Sequence, residues 1–293
     1  MKHAILGAGA IGGLMATALG YVGEDATLIV RAEKVHGYPS TLTLHQPERT
    51  ITAPAHVAAK LTEPVDVLWI ATKTYQLESA LNLIATSPRF IVPLLNGVEH
   101  IAVLRSRFGN DRVIPATIAV GADRKAEGEF VQGSIVRLNV AASGEGLLGA
   151  LLPTLQERVG FLCGFVANEQ TLLWSKLCFL APFALATSAS GLDKGGIFAD
   201  PEWKRRLYAA IEEATAVANA SGAEVSAATI EKIMDPLPAA MRSSMAKDLM
   251  AGRKLELDAI GGPIVRGGAK YGIPTPVTKE LMSEIEAKVS AKA

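Results

Sequence analysis

One lysine interrupts a long apolar stretch in the second half of the chain. Residues 172–186 read LLWSKLCFLAPFALA, and Lys176 is the one charged residue among them. A lysine is rarely fully buried without a role or a partner, and burial lowers its pKa toward the range that suits a general acid. The alternative is a lysine whose aliphatic part is buried while its ammonium group reaches water. Composition alone does not distinguish between these two interpretations.

A carboxylate further along the chain is a candidate partner for this lysine. If the segment LMAGRKLELDAIGGPIV, residues 249–265, forms one helix, Glu256 is the only charge on one of its faces. Four uncharged residues share that face: Leu249, Gly252, Ile260 and Pro263. We expect the sequence GGP at 261–263 to bend or end this helix. A surface pair between Glu256 and Arg253 or Lys254 is the alternative.

The chain opens with MKHAILGAGAIGGLMATALG, in which a strand-like apolar run precedes a glycine-rich turn and then a helical pattern. Glycines at 7, 9 and 12 match the spacing G-x-G-x-x-G, which lets backbone N–H groups approach a pyrophosphate. We therefore predict a dinucleotide-binding turn, and the alternative is an ordinary glycine turn. The predicted cofactor-binding residues of this turn are Gly7, Gly9, Ala10, Ile11 and Gly12.

The residue at the end of the second predicted strand indicates which dinucleotide is bound. An acidic residue at this position accepts hydrogen bonds from the ribose of NAD, whereas here the strand Ala26–Val30 is followed by Arg31. A guanidinium group matches the geometry of a phosphate, so Arg31 predicts NADP(H), with Lys34 as a possible helper. The alternative is a solvated surface arginine.

Two more polar residues follow predicted strands of the first half. VLWIATK ends at Lys73, and FIVPLLNG contains Asn96 just beyond its apolar run. Ligands of parallel sheets bind at the carboxyl ends of the strands, so Lys73 is predicted to contact the cofactor, and Asn96 the cofactor or the substrate. A solvated lysine and a simple Asn-Gly turn are the alternatives.

The composition excludes several classes of protein. The 293 residues include 29 basic and 29 acidic side chains, which argues against nucleic acid or an anionic membrane as the main partner. Two cysteines and five scattered histidines indicate neither a disulfide framework nor a metal site. The first strand begins almost at residue 1, and no apolar run looks long enough to span a bilayer. We therefore expect a cytoplasmic protein without a signal peptide.

The elements that must position these residues fall into two groups. Strand and helix patterns alternate up to residue 167, which predicts a parallel sheet covered by helices, with EFVQGSIVRLNVAAS as antiparallel strands at its edge. From residue 168 the pattern is helical almost throughout. The prediction is an α/β domain at 1–167 and an all-α domain at 168–293, ending in a short Ala/Lys tail that frays.

Several of these motifs together make the chain resemble the ketopantoate reductase (2-dehydropantoate 2-reductase) family over nearly its whole length. The matching residues are GAGAIGG at 7–13, Arg31, Lys73, NG at 96–97, WSK ending at Lys176, SSM with Ser243 and Ser244, and GIPTP at 272–276. The resemblance implies a Rossmann-like dinucleotide-binding domain followed by a helical domain. It also implies NADPH-dependent reduction of a small-molecule 2-keto acid, by default ketopantoate to pantoate in pantothenate and coenzyme A biosynthesis.

The same resemblance assigns roles to individual residues. Lys176 is the implied catalytic acid, which stabilises the developing alkoxide and donates its proton, and Glu256 is its supporting partner. Lys73 and Asn96 are implied to lie against the cofactor, and Asn96 and Ser244 are available to the substrate.

One feature departs from the family pattern. The helix of the catalytic lysine carries asparagines one and two turns later in the family, whereas this chain has Leu180 and Ala184. These side chains cannot hydrogen-bond a hydroxyl or carbonyl group, so a less polar keto acid is an alternative substrate. A non-catalytic NADP-binding regulator and a dehydrogenase that uses His100 as its acid, although that histidine is expected to face solvent, are further alternatives. A homodimer through the apolar helices is also possible.

Overall fold

A computed structural model describes residues 1–291, so the last two residues of the predicted fraying tail lie outside the described residues. The contacts between residues divide the chain into two compact units. The first, called the Rossmann unit below, comprises Met1–Leu95 and His100–Ala167. The second, called the helical unit, comprises Asn96–Glu99 and the chain from Asn168 onward. The short segment 96–99 thus belongs to the helical unit, although its neighbours in the chain belong to the Rossmann unit.

The Rossmann unit contains every strand in the described part of the chain. The strands are β1 (Lys2–Leu6), β2 (Asp25–Ile29), β3 (Thr41–His45), β4 (Thr50–Pro54), β5 (His56–Ala58), β6 (Val67–Ile70), β7 (Phe90–Pro93), β8 (Ala116–Ala119), β9 (Ala122–Ala126), β10 (Glu129–Gln132), β11 (Arg137–Ala141) and β12 (Leu162–Val166). Its α-helices are α1 (Ala10–Tyr21), α2 (Leu77–Leu81), α3 (His100–Phe108), α4 (Glu145–Leu148) and α5 (Leu151–Val159).

A five-stranded parallel sheet positions the predicted cofactor residues. Its strand order is β5-β2-β1-β6-β7, and all neighbouring pairs are parallel. Strand β6, with the sequence VLWI, is buried along its whole length, as expected for a strand covered on both faces. Leu6 at the end of β1 is in register with Ile29 of β2 and Ile70 of β6. The carboxyl ends of these three strands therefore meet at one edge.

Two smaller sheets in the Rossmann unit correct one prediction. The segment EFVQGSIVRLNVAAS does not fold back on itself at the edge of the main sheet. Strand β10 pairs with β3 and β9, whereas β11 pairs with β8 and β12. Alternating apolar and polar residues indicate a strand with one buried face, but they do not indicate which strand is its partner.

The helical unit is built around one long apolar helix. The helices of its described part are α6 (Glu169–Ser190), α7 (Lys194–Ala199), α8 (Pro201–Ala220), α9 (Ala227–Met234), α10 (Ser244–Met250), α11 (Leu257–Tyr271) and α12 (Pro276–Ser290). Helix α6 packs against α8, α10, α11 and α12, so these helices bury it on several sides.

The ends of α6 follow from its sequence. The side chain of Asn168 accepts hydrogen bonds from the N–H groups of Gln170 and Thr171 at 2.9 and 3.1 Å. Gly191 ends the helix in the left-handed conformation, with φ of 78°.

Contrary to the expectation from the sequence, α6 is long and apolar enough to cross a membrane, but 78% of its most apolar 18-residue window is buried inside the protein. Such burial is typical of the core helix of a folded domain.

The prediction of one helix over residues 249–265 is wrong. Helix α10 ends at Met250, Gly252 has φ of 65°, and α11 begins only at Leu257. Glu256 is therefore the N-cap residue of α11 and not a residue within a helix. The sequence GGP at 261–263 also does not end the helix, because α11 continues to Tyr271.

Candidate active site

Three of the glycines in the turn after β1 allow close packing. Gly7 has φ of 112°, and a Cβ atom there would lie 2.9 Å from the carbonyl group of Ala71. A Cβ atom on Gly12 would lie 1.7 Å from the carbonyl oxygen of Gly7, and one on Gly13 would lie 1.9 Å from the ring of Phe130. Without side chains at these positions, α1 can begin directly after β1 and pack against the sheet.

Gly9 differs from these three, because nothing lies within 4 Å of the position that its Cβ atom would take. It is the N-cap residue of α1, and Ala10 and Ile11 begin the first turn, which carries no acidic side chain. Free N–H groups at the start of a helix attract anions. Open space and available N–H groups at this turn fit the pyrophosphate of the predicted dinucleotide.

The predicted 2′-phosphate residue lies at the same edge of the sheet. Arg31 follows β2 by two residues, and its side chain is exposed. Lys34, the predicted helper, is already engaged, because its Nζ atom lies 2.5 Å from Glu127 Oε1. Arg31 is therefore the better candidate for an additional phosphate.

The end of β6 contributes two further polar residues. Lys73 is partly buried and precedes the short 3₁₀ turn Thr74–Gln76. The hydroxyl of Thr72 is buried and makes no hydrogen bond to any residue between 1 and 291. Because buried polar atoms normally have a partner, this hydroxyl fits a bound ligand that supplies one. Thr72 was missed by the sequence analysis, although its place directly after a buried strand was a usable signal.

An arginine outside the predicted set also contacts the glycine turn. Arg124 of β9 donates a hydrogen bond from Nη1 to the carbonyl oxygen of Ala8 at 3.2 Å. It comes from the second sheet, 116 residues further along the chain. No local sequence pattern connects the two positions.

Lys176 is the eighth residue of α6 and is partly buried. Its neighbours in the chain, Trp174, Leu177 and Cys178, are each less than 5% exposed, so the helix is largely buried around this position. Burial lowers the pKa of Lys176 from 10.5 to about 8, and the negative charge of Glu256 acts in the opposite direction. The sequence-based expectation of a lowered pKa and of Glu256 as the nearby charge therefore agrees with the structure.

Glu256 is held by the segment that precedes α3. The carboxylate is 6% exposed, and its Oε2 atom accepts a hydrogen bond from Nδ2 of Asn96 at 3.2 Å. Asn96 belongs to the helical unit, as do Glu256 and Lys176. The structure thus brings three of the predicted residues together within one compact unit.

The residues that follow Lys176 on its helix are apolar. Leu180 is partly buried and Ala184 is fully buried, one and two turns after the lysine. Neither side chain can form a hydrogen bond. Leu180 therefore offers an apolar surface, whereas Ala184 belongs to the core of the helical unit.

The two adjacent serines have different environments. The Ser243 hydroxyl is buried, caps α10 by accepting from the N–H of Ala246 at 3.0 Å, and lies 2.8 Å from the hydroxyl of Thr187. Ser244, the predicted substrate residue, is the first residue of α10 and is exposed. Ser243 therefore has a structural role, and Ser244 remains available to a ligand.

His100 does not match its expectation. It was predicted to face solvent, but it is 4% exposed at the first position of α3.

The cysteines and histidines show no metal centre in the described chain. Residues 1–291 contain no group of three or more His, Cys, Asp or Glu side chains that could hold a metal ion. Burial raises the pKa of Cys163 to about 11 and that of Cys178 to about 12, so both thiols stay protonated at neutral pH.

Sequence comparisons match both parts of the chain. The family described as "Ketopantoate reductase PanE/ApbA" matches residues 3–144, and "Ketopantoate reductase PanE/ApbA C terminal" matches residues 168–289. A 2-dehydropantoate 2-reductase from Caulobacter vibrioides is 30% identical, with 97% of this chain and 98% of the relative covered.

Solved structures share the fold. A PanE/ApbA family ketopantoate reductase from Ralstonia eutropha JMP134 has a TM-score of 0.86 at 24% identity, covering 100% of this chain and 99% of that one. A D-mandelate dehydrogenase in complex with NADH and anilino(oxo)acetate has a TM-score of 0.85 at 23% identity and covers 99% of each chain. The predicted fold class, an α/β unit followed by helices, is confirmed.

Proposed function

Because this chain belongs to the ketopantoate reductase family, we propose that it reduces a 2-keto acid to a 2-hydroxy acid with NADPH. Members of this family are oxidoreductases that act on a CH–OH group and use NADPH. The default substrate is 2-dehydropantoate, whose reduction to pantoate serves pantothenate and coenzyme A biosynthesis. The proposed cellular location is the cytoplasm.

The observation that carries this proposal is the group of Lys176, Glu256 and Asn96. A partly buried lysine with a lowered pKa next to a buried carboxylate is typical of a site that moves a proton. The amide of Asn96 fixes one oxygen of that carboxylate. A contribution to stability is a weak explanation for such a buried pair of charges, because its replacement by apolar residues is often neutral or stabilising.

The residues of the chain have separate tasks in the proposed reaction. When bound, NADPH supplies the hydride that reduces the carbonyl carbon of the keto acid. The charge of Lys176 stabilises the negative charge that develops on the carbonyl oxygen, and its Nζ atom then donates a proton to that oxygen. Glu256 favours the protonated form of the lysine, and Asn96 orients the carboxylate. Ser244 is proposed to contact the substrate carboxylate.

The cofactor is assigned to the Rossmann unit. Gly7, Gly9 and Gly12, with the N–H groups of Ala10 and Ile11, are proposed to hold the pyrophosphate. Arg31 is proposed to pair with the 2′-phosphate. Lys73 is proposed to contact a cofactor phosphate or ribose, at the same edge of the sheet.

A second candidate substrate is a less polar 2-keto acid. It is favoured by Leu180 and Ala184, because neither side chain can hydrogen-bond the hydroxyl of ketopantoate. The D-mandelate dehydrogenase similar to this chain was solved with anilino(oxo)acetate, a keto acid derivative without such a hydroxyl. At 23% identity this likeness concerns the fold, so the pocket residues are the basis of the proposal.

A non-catalytic NADP-binding regulator is the alternative from another functional class. Leu180 and Ala184 are compatible with it, since a sensor does not need to orient a substrate. The presence of Lys176 and Glu256 in one group favours the enzyme, because a buried charge without catalytic use is unfavourable.

The deciding experiment follows NADPH oxidation with purified protein, ketopantoate and several branched 2-keto acids without a hydroxyl group. Turnover of ketopantoate supports the default substrate. Turnover of only the less polar acids supports the second candidate. Tight NADPH binding without turnover of any keto acid contradicts the proposed enzyme and supports the regulator.

We also propose that the protein forms a homodimer through the helical unit. Light scattering of the eluted protein tests this proposal, which a monomer at micromolar concentration contradicts.

A further inference from the structure

The segment Asn96–Glu99 is attached to α11 by successive residues. Asn96 donates its hydrogen bond to Glu256, the N-cap of α11. Gly97 has φ of 86°, and a Cβ atom there would lie 2.4 Å from the carbonyl oxygen of Ala259. The carboxylate of Glu99 accepts two hydrogen bonds from Arg266, at 2.9 and 2.6 Å. The segment therefore follows one side of the helix from its beginning to its third turn.

Two unusual residues of α11 make this attachment possible. Pro263 has no N–H group to donate to the carbonyl of Ala259 four residues earlier, and it is this carbonyl that Gly97 approaches. A Cβ atom on Gly262 would lie 2.3 Å from Nη2 of Arg266, so a glycine is needed where the guanidinium crosses the helix. The sequence GGP, which was expected to bend or end the helix, instead provides this surface.

The orientation of Arg266 is fixed from two directions. Its Nη1 atom donates to Oδ1 of Asp258 at 2.7 Å, while its Nε and Nη2 atoms donate to Glu99. Two parallel hydrogen bonds to one carboxylate define both distance and angle. The carboxylates of Glu99 and Asp258 both raise the pKa of Arg266.

We propose that the Glu99–Arg266 pair, braced by Asp258, is a positioning device that holds segment 96–99 on α11 and thereby fixes the Asn96–Glu256 contact beside Lys176. Only the expected effect of the pair on turnover rests on the proposed function. Glu99 and Arg266 are positioning residues, because they act through Asn96 and Glu256.

A general contribution to stability does not explain the pair. Glu99 and Arg266 are 49% and 48% exposed, and exposed ion pairs contribute little to the free energy of unfolding. Their geometric effect is larger, because displacement of a catalytic group by about 1 Å lowers the rate by up to about 100-fold. Asn96 is three residues from Glu99, so the pair sets the position of its backbone.

The test compares the wild-type chain with Glu99→Gln, Arg266→Gln and the double variant. Glu202→Gln is the matched control, because Glu202 and Arg205 form a similar two-bond pair on α8, at 2.9 and 2.6 Å, that does not contact the segment. The pKa of Lys176 is measured by competitive acetylation at several pH values with mass spectrometry of the peptide. Values of kcat and KM are measured in parallel.

We expect each single variant to lower the pKa of Lys176 by about half a unit, because Glu256 is then held less firmly beside the lysine. We also expect kcat to fall about tenfold, with the KM for NADPH unchanged. The double variant should resemble the single variants, since all three lose the same pair. Glu202→Gln should match the wild type.

An unchanged pKa of Lys176 in both single variants overturns the inference. So does a lower melting temperature with pKa and kcat unchanged, which would identify the pair as merely structural. If the wild-type protein reduces no keto acid, the proposed function fails, whereas the shift in the pKa of Lys176 still supports or overturns the positioning device.

Discussion

Lys176 illustrates what a single residue reveals in a sequence. A charge in an apolar stretch is unfavourable enough to stand out, and in the structure burial lowers the pKa of this lysine while the charge of Glu256 opposes that shift. Its chemical use depends on its protonation state. At neutral pH a lysine with a pKa of about 8 is mostly protonated, as the proposed acid must be.

The rate of keto acid reduction should therefore decrease at alkaline pH. Since the reaction requires protonated Lys176, kcat/KM is expected to be constant below the pKa of about 8 and to fall about tenfold per pH unit above it. Oxidation of the hydroxy acid requires the neutral amine and should show the opposite trend. A constant kcat/KM for reduction between pH 7 and about 9.5 would remove Lys176 from the proton transfer.

Replacement of Arg31 tests the preference for NADP(H). Arg31→Ala should raise the Kd for NADPH by at least about tenfold, about 1.4 kcal/mol, because the 2′-phosphate loses a charged partner. The Kd for NADH should stay nearly the same. Lys34→Ala is the matched control and should have a smaller effect, because Lys34 is paired with Glu127. Equal weakening of both dinucleotides by Arg31→Ala would contradict the assignment.

Contacts between distant residues could not be predicted from the sequence. Glu99 and Arg266 are 167 positions apart, and each alone is an ordinary surface charge. Glu256 was selected as the partner of Lys176 from a continuous helix that does not exist. The charge was correctly chosen, but its geometry depends on a cap and on a contact with Asn96 that no local spacing indicates.

At the scale of elements, substitutions at two glycines of the turn after β1 test packing and cofactor binding separately. Gly13→Ala should reduce the free energy of unfolding by about 1–3 kcal/mol, because its Cβ atom would overlap the buried ring of Phe130. Gly9→Ala should leave the stability of the cofactor-free protein within about 0.5 kcal/mol, because that position is open. It should nevertheless weaken NADPH binding about tenfold or more.

Chemical unfolding and titration with NADPH measure both effects. Unchanged NADPH affinity in Gly9→Ala would mean that the open space beside Gly9 is not a ligand site.

Strands and helices could be predicted from the sequence where a single pattern of residue types identifies them. Buried strands such as β6 and long apolar helices such as α6 follow from short runs of residue types. The pattern of YQLESALNLIA is typical of one helix, but only Leu77–Leu81 is α-helical, after a 3₁₀ turn. Element length and strand pairing depend on tertiary contacts, which is why β10 and β11 were assigned to the wrong partners.

At the scale of the whole molecule, Lys176 is expected to reduce stability. Its pKa is about 8 in the folded chain against 10.5 ordinarily, so the unfolded state binds more protons between these values. The free energy of unfolding therefore rises with pH from about 8 to 10.5. Below pH 8 the protein carries the full destabilisation caused by Lys176. Lys176→Met should reduce this pH dependence, because the titrating group is removed.

Thermal melts of both proteins from pH 7 to about 10.5 measure the difference. If stability rises between pH 8 and 10.5 as much in Lys176→Met as in the wild type, another group causes the rise.

The central claim is that Lys176 donates the proton in NADPH-dependent reduction of a 2-keto acid. The most direct measurement compares kcat of the wild type and Lys176→Ala with the best keto acid substrate, together with the Kd for NADPH. We predict that kcat falls by about 100-fold or more and that the Kd for NADPH changes by less than about twofold. An unchanged kcat in Lys176→Ala would contradict the proposed mechanism.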